Sequence, residues 1–153
     1  MNTLLKYLTV FGMAMLPVLE LRGSVPWGVA QDLPYLAVLF VSIIGNMVPV
    51  PFIILFVRRI FAWMRRKSTL LGNIAAKLEK RARDKGSILV KYETLGLFIL
   101  VAIPLPGTGA WTGALVAALF DLRLKNALPA ITCGVVTAGL IMTVLSYGVD
   151  VLI

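Results

Sequence analysis

Hydrophobic runs of two different lengths alternate along this chain, and length decides what each run can do. Residues 4–19 (LLKYLTVFGMAMLPVL) are apolar except for Lys6. As a helix this stretch reaches about 24 Å, short of the roughly 30 Å hydrocarbon core of a bilayer. It meets Glu20 and Arg22, after which residues 25–31 form a second short apolar arm closed by Asp32-Leu33-Pro34. Tyr35–Val57 then carries no charge over twenty-three residues. At about 34 Å as a helix, it is long enough to span. Pro49 and Pro51 within it withdraw helical N–H donors and predict a kink.

The second half follows the same plan. Thr94–Ile103 is apolar and ends in Pro104-Leu105-Pro106-Gly107; Gly109–Phe120 is a second short arm ending at Asp121; residues 126–149 are a second full span. Apolar runs of about ten to fourteen residues suit re-entrant segments better than spans. The pattern predicts an all-α integral membrane protein with an inverted-topology repeat, each half a re-entrant hairpin followed by a transmembrane helix. The first repeat covers residues 1–57, with its hairpin at about 4–33 and its spanning helix at 35–57. Residues 58–92 form a basic loop containing an amphipathic helix. The second repeat covers 93–153, with its hairpin at 94–120 and its spanning helix at 126–149.

Residue identities carry the repeat further. With Trp27 set against Trp111, Leu21 matches Leu105, Gly23 matches Gly107, Ser24 faces Thr108 and Ala30 matches Ala114. With five extra residues in the second copy, Asp32-Leu33 matches Asp121-Leu122 and Gly45 matches Gly134. In this register the hairpin tips fall at Glu20–Gly23 and Pro104–Gly107.

Composition agrees with a membrane setting. The 153 residues are 59% hydrophobic and only 14% charged, against about 25% charged in a typical soluble domain, and the mean hydropathy is +0.94. With no histidine, imidazole bases and histidine metal sites are excluded. The single cysteine, Cys133, allows no intrachain disulfide. A lysine followed by an apolar stretch at the start fits a signal peptide, but no A-x-A-like site follows, so this segment is expected to stay on the chain.

Charge orients the two halves. Of the 15 basic residues, eleven lie between Arg58 and Lys91, beside only Glu79 and Asp84. The positive-inside rule makes this block cytoplasmic, and the expected location is the plasma (inner) membrane, crossed more than once. Tyr35–Val57 then runs from outside to inside, and both ends of the sequence lie outside. Arg123 and Lys125 join the block on the inner face, Lys6 lies outside, and Arg22 falls at membrane depth. Leu71, Ile74, Leu78 and Ala82 recur at helical spacing among Lys77, Lys80, Arg81 and Arg83, the pattern of a helix lying on an anionic leaflet. No nucleic-acid partner is expected, because the basic block lacks aromatic interleaving beyond Phe61, Trp63 and Tyr92.

The candidate site follows from the cost of charge at depth, about 2.5–3.5 kcal/mol per group on insertion scales. Glu20 can take and release a proton, and Arg22 can hold a phosphate or carboxylate through its planar fork. Gly23, Pro26 and Trp27 surround them in sequence. Pro104, Pro106 and Gly107 give the second tip a bare backbone beside Trp111, and Asn46 needs a polar partner in mid-span. Mutual neutralisation of Glu20 and Arg22, tight turns at the prolines and interfacial anchoring of the tryptophans are the structural alternatives. Gly109, Gly113 and Ala117 form a small-residue stripe suited to helix packing, and Asp32 and Asp121 read as caps or gates at the arm ends.

The stretch Glu20-Leu21-Arg22-Gly23, with Pro26 and Trp27-Gly28, resembles the small multidrug export protein family, and the resemblance covers nearly the whole chain. That family is similar to the larger DedA superfamily of membrane proteins. The resemblance implies re-entrant hairpins in inverted repeats and transport of lipid carriers or phospholipids. The chain departs from the wider superfamily at Pro104–Gly107, where a second arginine is lacking. The expected function is proton-coupled transport of an amphiphilic or phosphate-bearing substrate such as a lipid. Export of small cationic drugs, with Glu20 as counter-charge, is the alternative within transport. A membrane scaffold packing as a homodimer is the alternative of another class. No enzyme activity and no cofactor or metal is expected, and the partners are membrane lipids, a small-molecule or lipid substrate and a second copy of the chain in a homodimer.

Overall fold

The computed structural model describes residues 2–67, 69–85, 93–105 and 107–152. Eight helices and no strand occur among the described residues: α1 (Thr3–Met15), α2 (Glu20–Val29), α3 (Tyr35–Met47), α4 (Pro49–Lys67), α5 (Thr69–Lys85), α6 (Glu93–Ala102), α7 (Ala110–Leu119) and α8 (Leu124–Leu152). Among the described residues two stretches are long and apolar enough to cross a membrane, Tyr35–Arg66 and Leu124–Gly148. Many large side chains of these stretches face outward, with Phe40, Phe52, Phe56 and Val144 all more than 60% exposed. In water such a surface would be unstable; in lipid it is the favourable one.

The interior mixes small residues with aliphatic ones such as Ile54, Leu97 and Ile131. Ala110, Ala114, Ala117 and Ala118 of α7 are buried against a core that includes Val101, Ala130, Ile131 and Val135. Without a hydrophobic gain in lipid, close backbone approach supplies the packing energy. Gly45 shows how close. A Cβ there would stand 2.7 Å from the Phe11 carbonyl oxygen of α1, and one at Gly134 would stand 3.0 Å from the Phe98 carbonyl oxygen of α6. Accordingly α1 packs along α3, and α6 packs along α8. The second arms cross over: α2 packs on α8, and α7 packs on α4.

Both second arms end alike. The Leu33 N–H donates to Gly28 O at 3.2 Å with Asp32 at φ 55°, and the Leu122 N–H donates to Ala117 O at 2.9 Å with Asp121 at φ 52°. Each is a left-handed helix stop, a conformation that Asp adopts more readily than most residues.

Three sequence expectations are corrected. First, Glu20–Gly23 is not the tip of the first hairpin. The turn lies at residues 16–19, and Glu20 to Gly23 form the first turn of α2, because Pro17 stops α1 earlier than the charges do. Pro26 therefore sits inside α2. Second, the tryptophan register does not hold. Trp27 is the eighth residue of α2 and Trp111 the second of α7. Glu20 and Gly109, Asp32 and Asp121, and Gly45 and Gly134 are each 89 positions apart, and the first two pairs share positive φ. Third, the helix does not stop at Val57. After a break at Val48 it continues through Arg58 and Arg59 to Lys67, since arginine and lysine are good helix formers and solvated side chains cost the backbone nothing.

Candidate functional site

The first turn of α2 meets the tip of the second half at Glu20. Its backbone has φ 45°, which turns the chain out of the 16–19 bend into α2. Glu20 is only 4% exposed. Its Oε1 accepts the Trp111 backbone N–H at 3.1 Å. That N–H belongs to the first turn of α7, where helical donors lack intrahelical acceptors and the helix dipole is positive. A carboxylate from one half thus caps a helix of the other. Gly109 makes room: it stands at φ 127°, and a Cβ there would overlap the Glu20 carboxyl group. The Trp111 indole Nε1 also donates to Met15 O at 3.1 Å, so one residue ties α7 to both arms of the first hairpin.

Arg22 reaches the same opposite tip. Its Nη2 donates to the Thr108 carbonyl and to Thr108 Oγ1, each at 2.7 Å. The Thr108 hydroxyl donates in turn to Ile103 O at 2.6 Å and accepts the Leu105 N–H at 3.2 Å. This holds the irregular stretch after α6 in shape. Thr112 Oγ1 donates to Gly107 O at 3.0 Å across the same turn. Glu20 and Arg22 therefore bond to the second tip, and no ion pair joins them to each other within 4.0 Å among the described residues.

A cavity of about 10 Å³ lies between the tips, lined by Glu20, Arg22, Asn46, Pro104, Gly109 and apolar groups of α6 and α8. Asn46 is 1% exposed, and neither Oδ1 nor Nδ2 has a partner. A buried amide left so costs about 1–3 kcal/mol per group. The other buried polar side chains of α2 and α3, Ser24 and Ser42, bond to each other, Oγ to Oγ at 2.8 Å.

Of the residues expected at a site, Glu20, Arg22, Asn46 and Pro104 line this cavity, and Trp111 binds Glu20 from beside it. Gly23 packs against Leu19, Gly107 is exposed at φ 83°, and Pro26 is exposed on α2. Trp27 packs against the hydrophobic core and does not line the cavity. Pro106 lies outside the described residues. Sequence reasoning missed Thr108 and Gly109 as parts of the site. The identity of Gly109 was a signal, because the glycine sits where the first half has Glu20.

Two further bonds join the halves at the ends of the second arms. Arg58 Nη2 of α4 donates to Leu122 O, and Arg58 Nε stands 3.5 Å from Asp121 Oδ1. The Tyr147 hydroxyl of α8 donates to Leu33 O at 2.6 Å.

These features define a helical membrane protein in which one carboxylate and one guanidinium, Glu20 and Arg22, bond the first half to the second. Residues 20–141 match the model of the family described as "Putative small multi-drug export protein", and the chain belongs to that family of membrane proteins. No curated protein and no solved structure matches the chain.

Proposed function

We propose that the protein is a secondary transporter that moves an amphiphilic or phosphate-bearing substrate, a lipid among them, coupled to protons through Glu20. One observation carries the reading: both membrane-depth charges of the first half are bonded to the tip of the second, Glu20 to the Trp111 N–H and Arg22 to Thr108. Charge placed at this cost marks a pathway more often than a packing device. Arg22 has five N–H donors, and a phosphate arriving between the tips can compete for them against Thr108. A cavity of about 10 Å³ holds no such substrate, so transport requires the tips to part.

An inverted repeat supplies a means of parting. The pairs set 89 residues apart and the crossed packing of α2 on α8 and α7 on α4 support that arrangement. Repeats related by an axis in the membrane plane open alternately to the two faces around a fixed central site. In this reading the tips are re-entrant, the basic segment 58–91 is cytoplasmic in the plasma membrane, and kinship extends to the DedA superfamily. The family description favours a second reading, export of small cationic drugs with Glu20 as counter-charge.

The test is flux per folded molecule in reconstituted vesicles. Arg22→Ala is expected to abolish movement of a phospholipid analogue, and Glu20→Gln to abolish its dependence on a proton gradient. Loss of cationic dye export in Glu20→Gln with Arg22→Ala still active would select the drug reading. Unchanged flux of both substrates in both variants would leave a scaffold role.

A further inference from the structure

Arg58 carries a charge that its bond to Leu122 does not need. Tyr147, 89 positions later, donates to the matching carbonyl of Leu33 through a neutral hydroxyl. A guanidinium is the costlier donor to take out of water, and here its Nε is buried without a hydrogen bond. Beside it a space of about 270 Å³ opens between α4 and the end of α7. Arg58, Phe61, Ala62 and Arg65 line one side, with Leu119 and Asp121 across from them. The four α4 residues recur at the spacing of a single helical face. The volume falls just below the roughly 300–1,000 Å³ of drug-sized ligand sites, so it admits a headgroup but not a whole lipid. Arg58 is also the first charge after the uncharged residues Tyr35–Val57, which puts the space where a span gives way to the headgroup region.

We propose that this space binds the phosphate of one anionic phospholipid headgroup, held between Arg58 and Arg65. Guanidinium forks match phosphate oxygens, and basic pockets between spanning helices at this depth take anionic headgroups. Arg59, Arg66, Arg123 and Lys125 lie next to the two walls in sequence and add to the attraction. Among the described residues that line the space, Asp121 is the one acid. Its side chain is 81% exposed and reaches Arg58 Nε only at 3.5 Å, with no hydrogen bond. Such a solvated pair contributes little, and a phosphate can displace it. The helix end does not repel the anion with bare carbonyls either. Those of Val116, Ala117 and Ala118 accept the N–H groups of Phe120, Leu122 and Asp121. The proposal goes beyond the transporter reading and stands without it, because the lipid here is a bound ligand and not cargo.

The test uses the full chain in neutral detergent and needs no transport. The thermal midpoint is read against added phosphatidylglycerol, phosphatidylcholine or glycerol 3-phosphate. Phosphatidylglycerol is expected to raise the midpoint saturably, and the other two to act only at much higher concentration. Arg65→Gln is expected to weaken the apparent affinity for phosphatidylglycerol about tenfold. Asp121→Asn removes the competing carboxylate and is expected to strengthen it about threefold, a change that a merely structural ion pair would not produce. Lys77→Gln takes one positive charge from α5, away from the lining, and is expected to leave the affinity unchanged. If Arg65→Gln does not fold, Arg65→Lys replaces it, keeping the charge and losing the fork, with weakening again expected. The proposal is overturned by any of four results: no saturable response, an equal response to phosphatidylcholine or glycerol 3-phosphate, equal weakening by Lys77→Gln, or no tightening in Asp121→Asn.

Discussion

Arg58 and Tyr147 occupy corresponding places 89 residues apart, and each donates a hydrogen bond to a leucine carbonyl that closes the second arm of the other half, Leu122 and Leu33. Those leucines are themselves 89 positions apart. One bond is charged and lies beside an exposed aspartate; the other is neutral and lies beside Tyr35, whose ring meets Tyr147 edge-on at 5.9 Å. The two ends of the molecule are thus held by related positions with different chemistry.

Stability should follow that chemistry. Arg58→Met is expected to cost about 1–3 kcal/mol, because it strips a charged donor from a buried carbonyl. Tyr147→Phe is expected to cost about 1 kcal/mol. Asp121→Asn should cost under about 0.5 kcal/mol, since its side chain is 81% exposed and its ion pair is screened. Thermal unfolding in detergent reads all three; an Asp121→Asn loss equal to that of Arg58→Met would contradict the assignment.

Gly109 separates close packing from backbone freedom. Gly109→Ala meets both an overlap with the Glu20 carboxyl group and φ 127°, a loss expected at about 3 kcal/mol or more. Gly107→Ala meets only φ 83° with no atom near its Cβ, an expected loss of about 1–2 kcal/mol. Gly12→Ala, in open space within α1, should stabilise by up to about 1 kcal/mol. The order of the three thermal midpoints is the check.

The Thr108 hydroxyl joins Arg22 to the irregular stretch after α6, so its removal should act at a distance from the cavity. Thr108→Val is expected to cost about 1–2 kcal/mol and to speed amide hydrogen exchange at Leu105, whereas Thr108→Ser retains the bonds. Equal exchange in both variants would mean that the hydroxyl does not hold the turn.

Orientation is open to chemical labelling. In a Cys133→Ser background, Asn73→Cys on α5 is expected to react with an impermeant maleimide only after the cells are opened, as a cytoplasmic basic segment requires. Labelling of intact cells would reverse the orientation.

Much of this protein is legible in its sequence. Two long apolar runs, Tyr35–Val57 and 126–149, announced membrane helices, because an uninterrupted apolar length is a sufficient signal in itself. The break after Ile103 and the sequence pairing of Asp32 with Asp121 and Gly45 with Gly134 were equally visible. Prolines stop helices locally, and a glycine at a close approach tolerates no other residue. Tertiary structure alone decided the rest. That Glu20 caps α7 and that Arg22 bonds to Thr108 and not to Glu20 depend on how the helices are rotated about their axes, and that Trp27 and Trp111 are not counterparts depends on where α2 and α7 begin. Where nearly every position is apolar, the sequence barely records that rotation. It was set instead by small residues letting α7 approach α4 and α8, and by the bonds of Glu20 and Arg22 to the second tip.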